Sequence, residues 1–283
     1  MKRYHLLVAA ILALPVFFAC GGKDDPQKPD TPDTPSTPST PTTPTTPTEP
    51  QIEFRKTFRF GGSIVSAGND GDFVAVMMPD LIVKSSDERK VITGSFSFDN
   101  ASKTWSFTSL GKVELLENKK VAFTASGGER KLFDADITEI VSDTGSNAGK
   151  MNGSWTVKET ILEFRGANYT MNGLDLNEVE KFAKDKGYEF KTHMDPDMVV
   201  TKVIITDALV GAQFKNGQSY AAEHNLRSGS EFKLSEFTNG LEGTAKIQFV
   251  DELCVLTIET NINPSDKENP SNAKVRMTLQ KAK

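Results

Sequence analysis

From residue 51 onward, apolar positions come in short β-branched and aromatic runs separated by turn formers. Val91 to Phe98, Thr104 to Thr108, Lys112 to Leu116 and Val121 to Ala125 read as strands, joined by Asp99-Asn100-Ala101-Ser102-Lys103 and Glu117-Asn118-Lys119-Lys120. Runs bounded in this way predict antiparallel hairpins. The same texture returns in Val199 to Thr206, Ala208 to Phe214, Glu231 to Leu234, Ala245 to Val250 and Leu253 to Glu259, with Lys215-Asn216-Gly217 as a hairpin turn. The expected fold class is mainly β: antiparallel meander or barrel-like sheets, built as two β domains over 51–150 and 151–283 whose relatedness the sequence leaves open.

One segment has helical periodicity instead. Leu176, Val179, Phe182 and Ala183 form a narrow apolar stripe among charged positions, predicting an amphipathic helix over about 175–186 that lies on a sheet. Asp175 is placed to cap it, Glu178 to return the bond, Leu174 to staple onto Val179, and Gly187 to supply the left-handed stop.

When Lys112–Val121 is set on Lys246–Val255, apolar and turn positions agree although identities are few. That leaves duplication and chance likeness of two hairpins both open. The seam between the halves falls in Ser142-Asp143-Thr144-Gly145-Ser146-Asn147-Ala148-Gly149-Lys150, which holds turn formers and no apolar period.

The N-terminus follows other rules. Lys2 and Arg3 precede an apolar run from Leu6 to Ala19, broken only by Pro15. A basic head, a short apolar core and a small-residue exit describe a cleaved secretory signal over residues 1–19. At about 14 residues the run is too short to cross roughly 30 Å of hydrocarbon as a helix. Phe17-Phe18-Ala19-Cys20-Gly21 resembles the lipobox of bacterial lipoproteins, with Phe17 where Leu is commonest. The resemblance implies that Cys20 becomes the lipidated N-terminus and that several acyl chains hold the protein to the membrane. Lys23-Asp24-Asp25, within the segment 20–25, resembles the export tag of Bacteroidota-type surface lipoproteins. It implies attachment to the outer membrane, facing the cell exterior.

Residues 26–50 are a spacer. Pro26, Pro29, Pro32, Pro35, Pro38, Pro41, Pro44, Pro47 and Pro50 recur every third position. Polyproline II also has three residues per turn, so the prolines share one edge of an extended helix. At about 3.1 Å per residue the segment reaches roughly 80 Å. Its Ser and Thr content is typical of sugar-bearing exported tracts.

Composition narrows the remaining choices. A net charge of −5, with scattered Lys and Arg, argues against nucleic acid or a bare anionic membrane as partner. Of the 2 cysteines, Cys20 is committed to lipid, so Cys254 has no partner for an internal disulfide. It shares a strand face with Leu256 and Ile258 and is read as a core residue. His193 and His224 are the only histidines after residue 51, too few for most hydrolytic triads or metal clusters. No nucleophile elbow, zinc-protease, phosphate-loop or dinucleotide motif occurs. No catalytic residue, metal or cofactor is assigned. Asn69-Asp70-Gly71-Asp72 carries oxygens at loop spacing but lacks the distal glutamate of a calcium loop, and is read as a turn. Asp195-Pro196-Asp197 is read likewise.

Gly153-Ser154-Trp155 opening a β-meander is similar to the lipocalin-like domains of small Bacteroidota-type lipoproteins, in which the tryptophan plugs one end of a barrel. The resemblance covers about residues 151–283 and gives Trp155 a structural role. The helix stands after the first strand here, where lipocalins place it after the strands. The expected function is a surface binding or interaction module for a glycan, a small apolar ligand or an envelope protein. An extracellular hydrolase working through paired carboxylates, and a purely structural envelope component, are the alternatives.

Overall fold

A computed structural model of the chain describes residues 54–82, 89–138, 145–188, 197–226, 229–236, 242–261 and 272–282. Cys20, Lys23, Asp24, Asp25, the proline stalk, His193 and Asp195-Pro196 lie outside them.

Residues 57–138 form an antiparallel meander: β1 (Thr57–Phe60), β2 (Ser63–Ala67), β3 (Asp72–Met77), β4 (Lys90–Asp99), β5 (Thr104–Phe107), β6 (Gly111–Leu115), β7 (Lys120–Ala125), β8 (Arg130–Asp134) and β9 (Asp136–Thr138). β8 pairs with β7 and β9 pairs with β1, so the two are one strand bent at Ala135 that closes the ring. Counted together they make an eight-stranded barrel. Inward positions alternate, as a half-buried strand demands: Phe58 and Phe60, Phe73 and Met77, Trp105 and Phe107, Val121 and Phe123 are all buried. Their rings meet edge to face or tilted, Phe58 on Trp105 with centroids 4.9 Å apart and Phe73 on Phe107 at 4.8 Å. The Trp105 Nε1–H donates to the Phe54 carbonyl at 2.7 Å, which satisfies the polar end of a buried indole.

The expected seam holds a short helix, α1 (Asn147–Met151), where the residue pattern predicts only turn. Ser146 caps it by accepting from Gly149 N at 3.0 Å, and burial of Ala148 and Met151 supplies apolar contacts that a count of turn formers overlooks.

The second meander follows: β10 (Gly153–Phe164), β11 (Ala167–Asn172), α2 (Leu176–Asp185), β12 (Val200–Ile205), β13 (Leu209–Phe214), β14 (Ser219–His224), β15 (Glu231–Glu236), β16 (Glu242–Val250), β17 (Leu253–Asn261) and β18 (Asn272–Lys281). β18 pairs with β10 from Trp155 to Phe164, closing β10 and β12–β18 into a second eight-stranded barrel, with β11 hung on the far half of β10. A bulge between Val157 and Glu159 moves the inward set of β10 from Trp155 and Val157 to Thr160, Leu162 and Phe164. One inserted residue does this because side chains alternate with period two. The expectation of two barrel-like antiparallel sheets with one substantial helix is therefore met. The two segments aligned in the sequence, Lys112–Val121 and Lys246–Val255, fall on the hairpins β6–β7 and β16–β17. Each hairpin supplies the sixth and seventh strands of its ring.

Helix α2 begins and ends largely as its sequence predicts. Asp175 Oδ1 accepts from Asn177 N at 2.9 Å, and Leu176, Val179, Phe182 and Ala183 are buried. Gly187, at φ +76°, lets Tyr188 N reach Ala183 O and Gly187 N reach Lys184 O, both at 2.9 Å, a Schellman stop. Glu178 departs from the expectation: its Oε2 accepts from the Tyr169 hydroxyl at 3.0 Å, because β11 lies alongside the helix and offers a donor.

The barrels meet along β2–β4 and β12–β14. Ile64, Val74, Val76, Ile204, Ala208, Leu209 and Ala221 form one buried cluster between them. A Cβ on Gly211 would stand 2.8 Å from Val74, so only glycine permits this approach. At the centre Arg55, 1% exposed, grips Asp207 through Nε at 2.6 Å and through Nη2, while Asn152 Nδ2 reaches the same carboxylate at 3.3 Å.

Removing one partner of a buried ion pair leaves an uncompensated charge, at a cost of about 3–5 kcal/mol. Arg55→Ala is expected to lower the urea midpoint accordingly, whereas Arg55→Met combined with Asp207→Leu should recover most of the loss. Equal losses in the two variants would show that the charge is not what matters.

Candidate functional site

The interior of the second barrel is where a lipocalin-like protein would hold a ligand. Its inward positions carry Trp155, Phe164, Val203, Phe214, Phe232, Leu256, Ile258 and Met277, and they join α2 in a single buried cluster. An eight-stranded barrel is just wide enough for side chains to fill it or for one small ligand to enter. Trp155 is 2% exposed and donates its Nε1–H to Met151 O at 2.7 Å. The Lys281 ammonium sits 4.5 Å from the centroid of the Trp155 ring and donates to Asn152 O at 2.6 Å. Burial pulls the Lys281 ammonium below the usual lysine range, and Asp70 pushes it partly back.

Cys254 lies in the same core, fully buried, and burial pushes its thiol up to about 12. A thiol in that state is no nucleophile. His224 is equally committed: Nδ1 accepts from Leu226 N at 3.2 Å, which leaves Nε2–H to donate to Thr206 O at 2.8 Å. The acidic turn Asn69–Asp72 spends its carboxylates between the barrels. Asp70 Oδ2 accepts from Ser154 N at 2.5 Å, and Asp72 Oδ2 accepts from Lys202 Nζ at 2.5 Å and from the Ser154 hydroxyl. Among the described residues no group of three or more His, Cys, Asp or Glu is arranged for a metal ion.

A different surface is concave and polar. On the outside of the first barrel Asp99, Ser102, Thr104, Ser106, Lys112, Glu114, Ala122, Thr124 and Arg130 line an open concavity of about 330 Å³, at the low end of the range for ligand sites. Strand register builds it. Ser106 stands opposite Lys112, Lys112 opposite Thr124 and Thr124 opposite Arg130, while Asp99, Thr104, Glu114 and Ala122 form the next row. Glu114 Oε2 accepts from Arg130 Nη2 at 2.9 Å and Nε at 3.3 Å. Asp99 accepts from Ser102 Oγ at 2.6 Å and Ala101 N at 3.0 Å, and these bonds hold its carboxyl below the ordinary range. Sequence reasoning named none of these as site residues. The available signal was the polar half of each alternating strand, whose members become neighbours only once the register is set.

Compared with known protein families and with curated proteins, the chain matches none. No helix among the described residues is long and apolar enough to cross a membrane.

The Cys254 thiol supports a direct test. Its value is raised from 9.0 to about 12 in the folded state, so the native chain keeps a proton that the unfolded chain releases above 9.0. That contribution to stability is complete below 9.0 and is lost as pH rises toward about 12. Denaturant midpoints should fall across this window and fall less in Cys254→Val, and native Cys254 should resist thiol reagents until unfolding. A pH slope identical in the variant would refute this.

Proposed function

We propose that this chain is a lipid-anchored cell-surface binding module. In this reading Cys20 carries the lipid, Lys23-Asp24-Asp25 directs the protein to the exterior of the outer membrane, and the prolines from Pro26 to Pro50 hold the double-barrel head away from it. The head binds a polar ligand through the concavity on the first barrel. The observation that carries this reading is the concavity itself, which gathers four hydroxyls, two cations and two carboxylates on one face.

Binding fits the geometry better than cleavage. Asp99 and Glu114 flank Thr104 on neighbouring strands, roughly 10 Å apart at two strand spacings. A glycosidase of that spacing needs one carboxyl with a raised proton affinity. Asp99 is shifted the other way by the Ser102 hydroxyl and the Ala101 amide, and Glu114 is tied to Arg130.

Protease added to intact cells lacking a capsule should clip the stalk and release the head, and Cys20→Ala should move the protein out of the membrane fraction. Full protection of the wild-type protein on intact cells would place it inside and remove the surface reading.

A further inference from the structure

We infer that the row Ser106, Lys112, Thr124 and Arg130 recognises a carboxylated glycan, of which a polymer of uronic acid is the simplest case. The inference rests on the head being a binding module and names the ligand class of its concavity. Across four strands at about 4.8 Å the row runs roughly 14 Å in a straight line on the outer face.

What the row offers follows from which groups are already engaged. Both acids of the concavity have partners: Asp99 holds Ser102 Oγ and Ala101 N, and Glu114 holds Arg130. Lys112 Nζ, Ser106 Oγ and Thr124 Oγ1 make no hydrogen bond or ion pair with any described residue. Arg130 gives Nε and Nη2 to Glu114 and keeps Nη1 for a ligand. The uncommitted groups are thus a cation, a guanidinium edge and two hydroxyls in line. A uronic acid presents the matching set, a carboxylate for the two cations and ring hydroxyls for Ser106 and Thr124.

The neighbouring row adds an apolar component. Glu114 stands opposite Ala122 and Ala122 opposite Leu132, whose side chain is 60% exposed. Leu132 gives the C–H face of a sugar ring a surface to lie on, while Ala122, 2% exposed, lies beneath the row. The chain as a whole carries −5, so an anionic polymer would be attracted only locally, at the cations of this row.

The test uses the full-length chain extracted from membranes in mild detergent, with binding followed by calorimetry. Oligomers of uronic acid, sulfated oligosaccharides and neutral glucose oligomers of equal length are the probes. Uronic acid oligomers are expected to bind, and the neutral ones about tenfold more weakly or worse. Lys112→Glu should weaken uronic acid binding about tenfold or more, and Thr124→Val severalfold, with thermal midpoints unchanged because both positions face solvent. Binding that ignores Lys112→Glu, a preference for sulfate over carboxylate, or equal binding of neutral oligomers would overturn the assignment. Failure of all three probes, with the head still released by protease from intact cells, would also overturn it while leaving the surface reading in place.

Discussion

Where the two barrels meet, strands must bury both faces at once, and the rest of the head is arranged around that requirement. Phe73–Met77 and Val203–Ile205 alternate between a barrel interior and the other barrel, so neither face has room for a polar side chain. Such strands read as continuous apolar runs. The buried Arg55–Asp207 pair sits inside this contact, next to Asn152, and the Asp70 and Asp72 carboxylates close its rim on Ser154 and Lys202. Ion pairs of this kind rarely exceed their own desolvation cost. Here they add directional bonds to a contact that is otherwise apolar.

That contact decides which surfaces remain for function. The contact uses β2–β4 and β12–β14, leaving the outer face of β5–β8 open to solvent. The barrel interiors are occupied by their own aromatic and aliphatic side chains, Trp105 and Phe123 in one and Trp155 and Phe164 in the other. The polar concavity lies on the outside of the first barrel, where polar positions on neighbouring strands line up.

Local signals carried much of the fold into the sequence. Hairpins with polar turns, the stripe of α2 and its Gly187 stop all depend on residues close in the chain, and each was legible. The aligned segments Lys112–Val121 and Lys246–Val255 occupy equivalent places, the sixth and seventh strands of their rings. What was missed depends on distant partners. The bulge at Lys158 is visible only through the pairing of β10 with β18, the bond from Glu178 goes to Tyr169 because β11 lies beside the helix, and α1 is held by the burial of Met151. The concavity was hidden for the same reason: Ser106, Lys112, Thr124 and Arg130 become a row only through the register of four strands. The run from Phe73 to Met77 was a clue to the barrel contact that strand texture alone left unread.

The contact between the barrels is expected to make the head one cooperative unit. Native-state hydrogen exchange tests it most directly, by comparing the slowest amides of β3 and β7 with those of β13 and β17. One common opening free energy and one denaturant dependence are expected for both sets. Two distinct values, one for each barrel, would contradict that expectation.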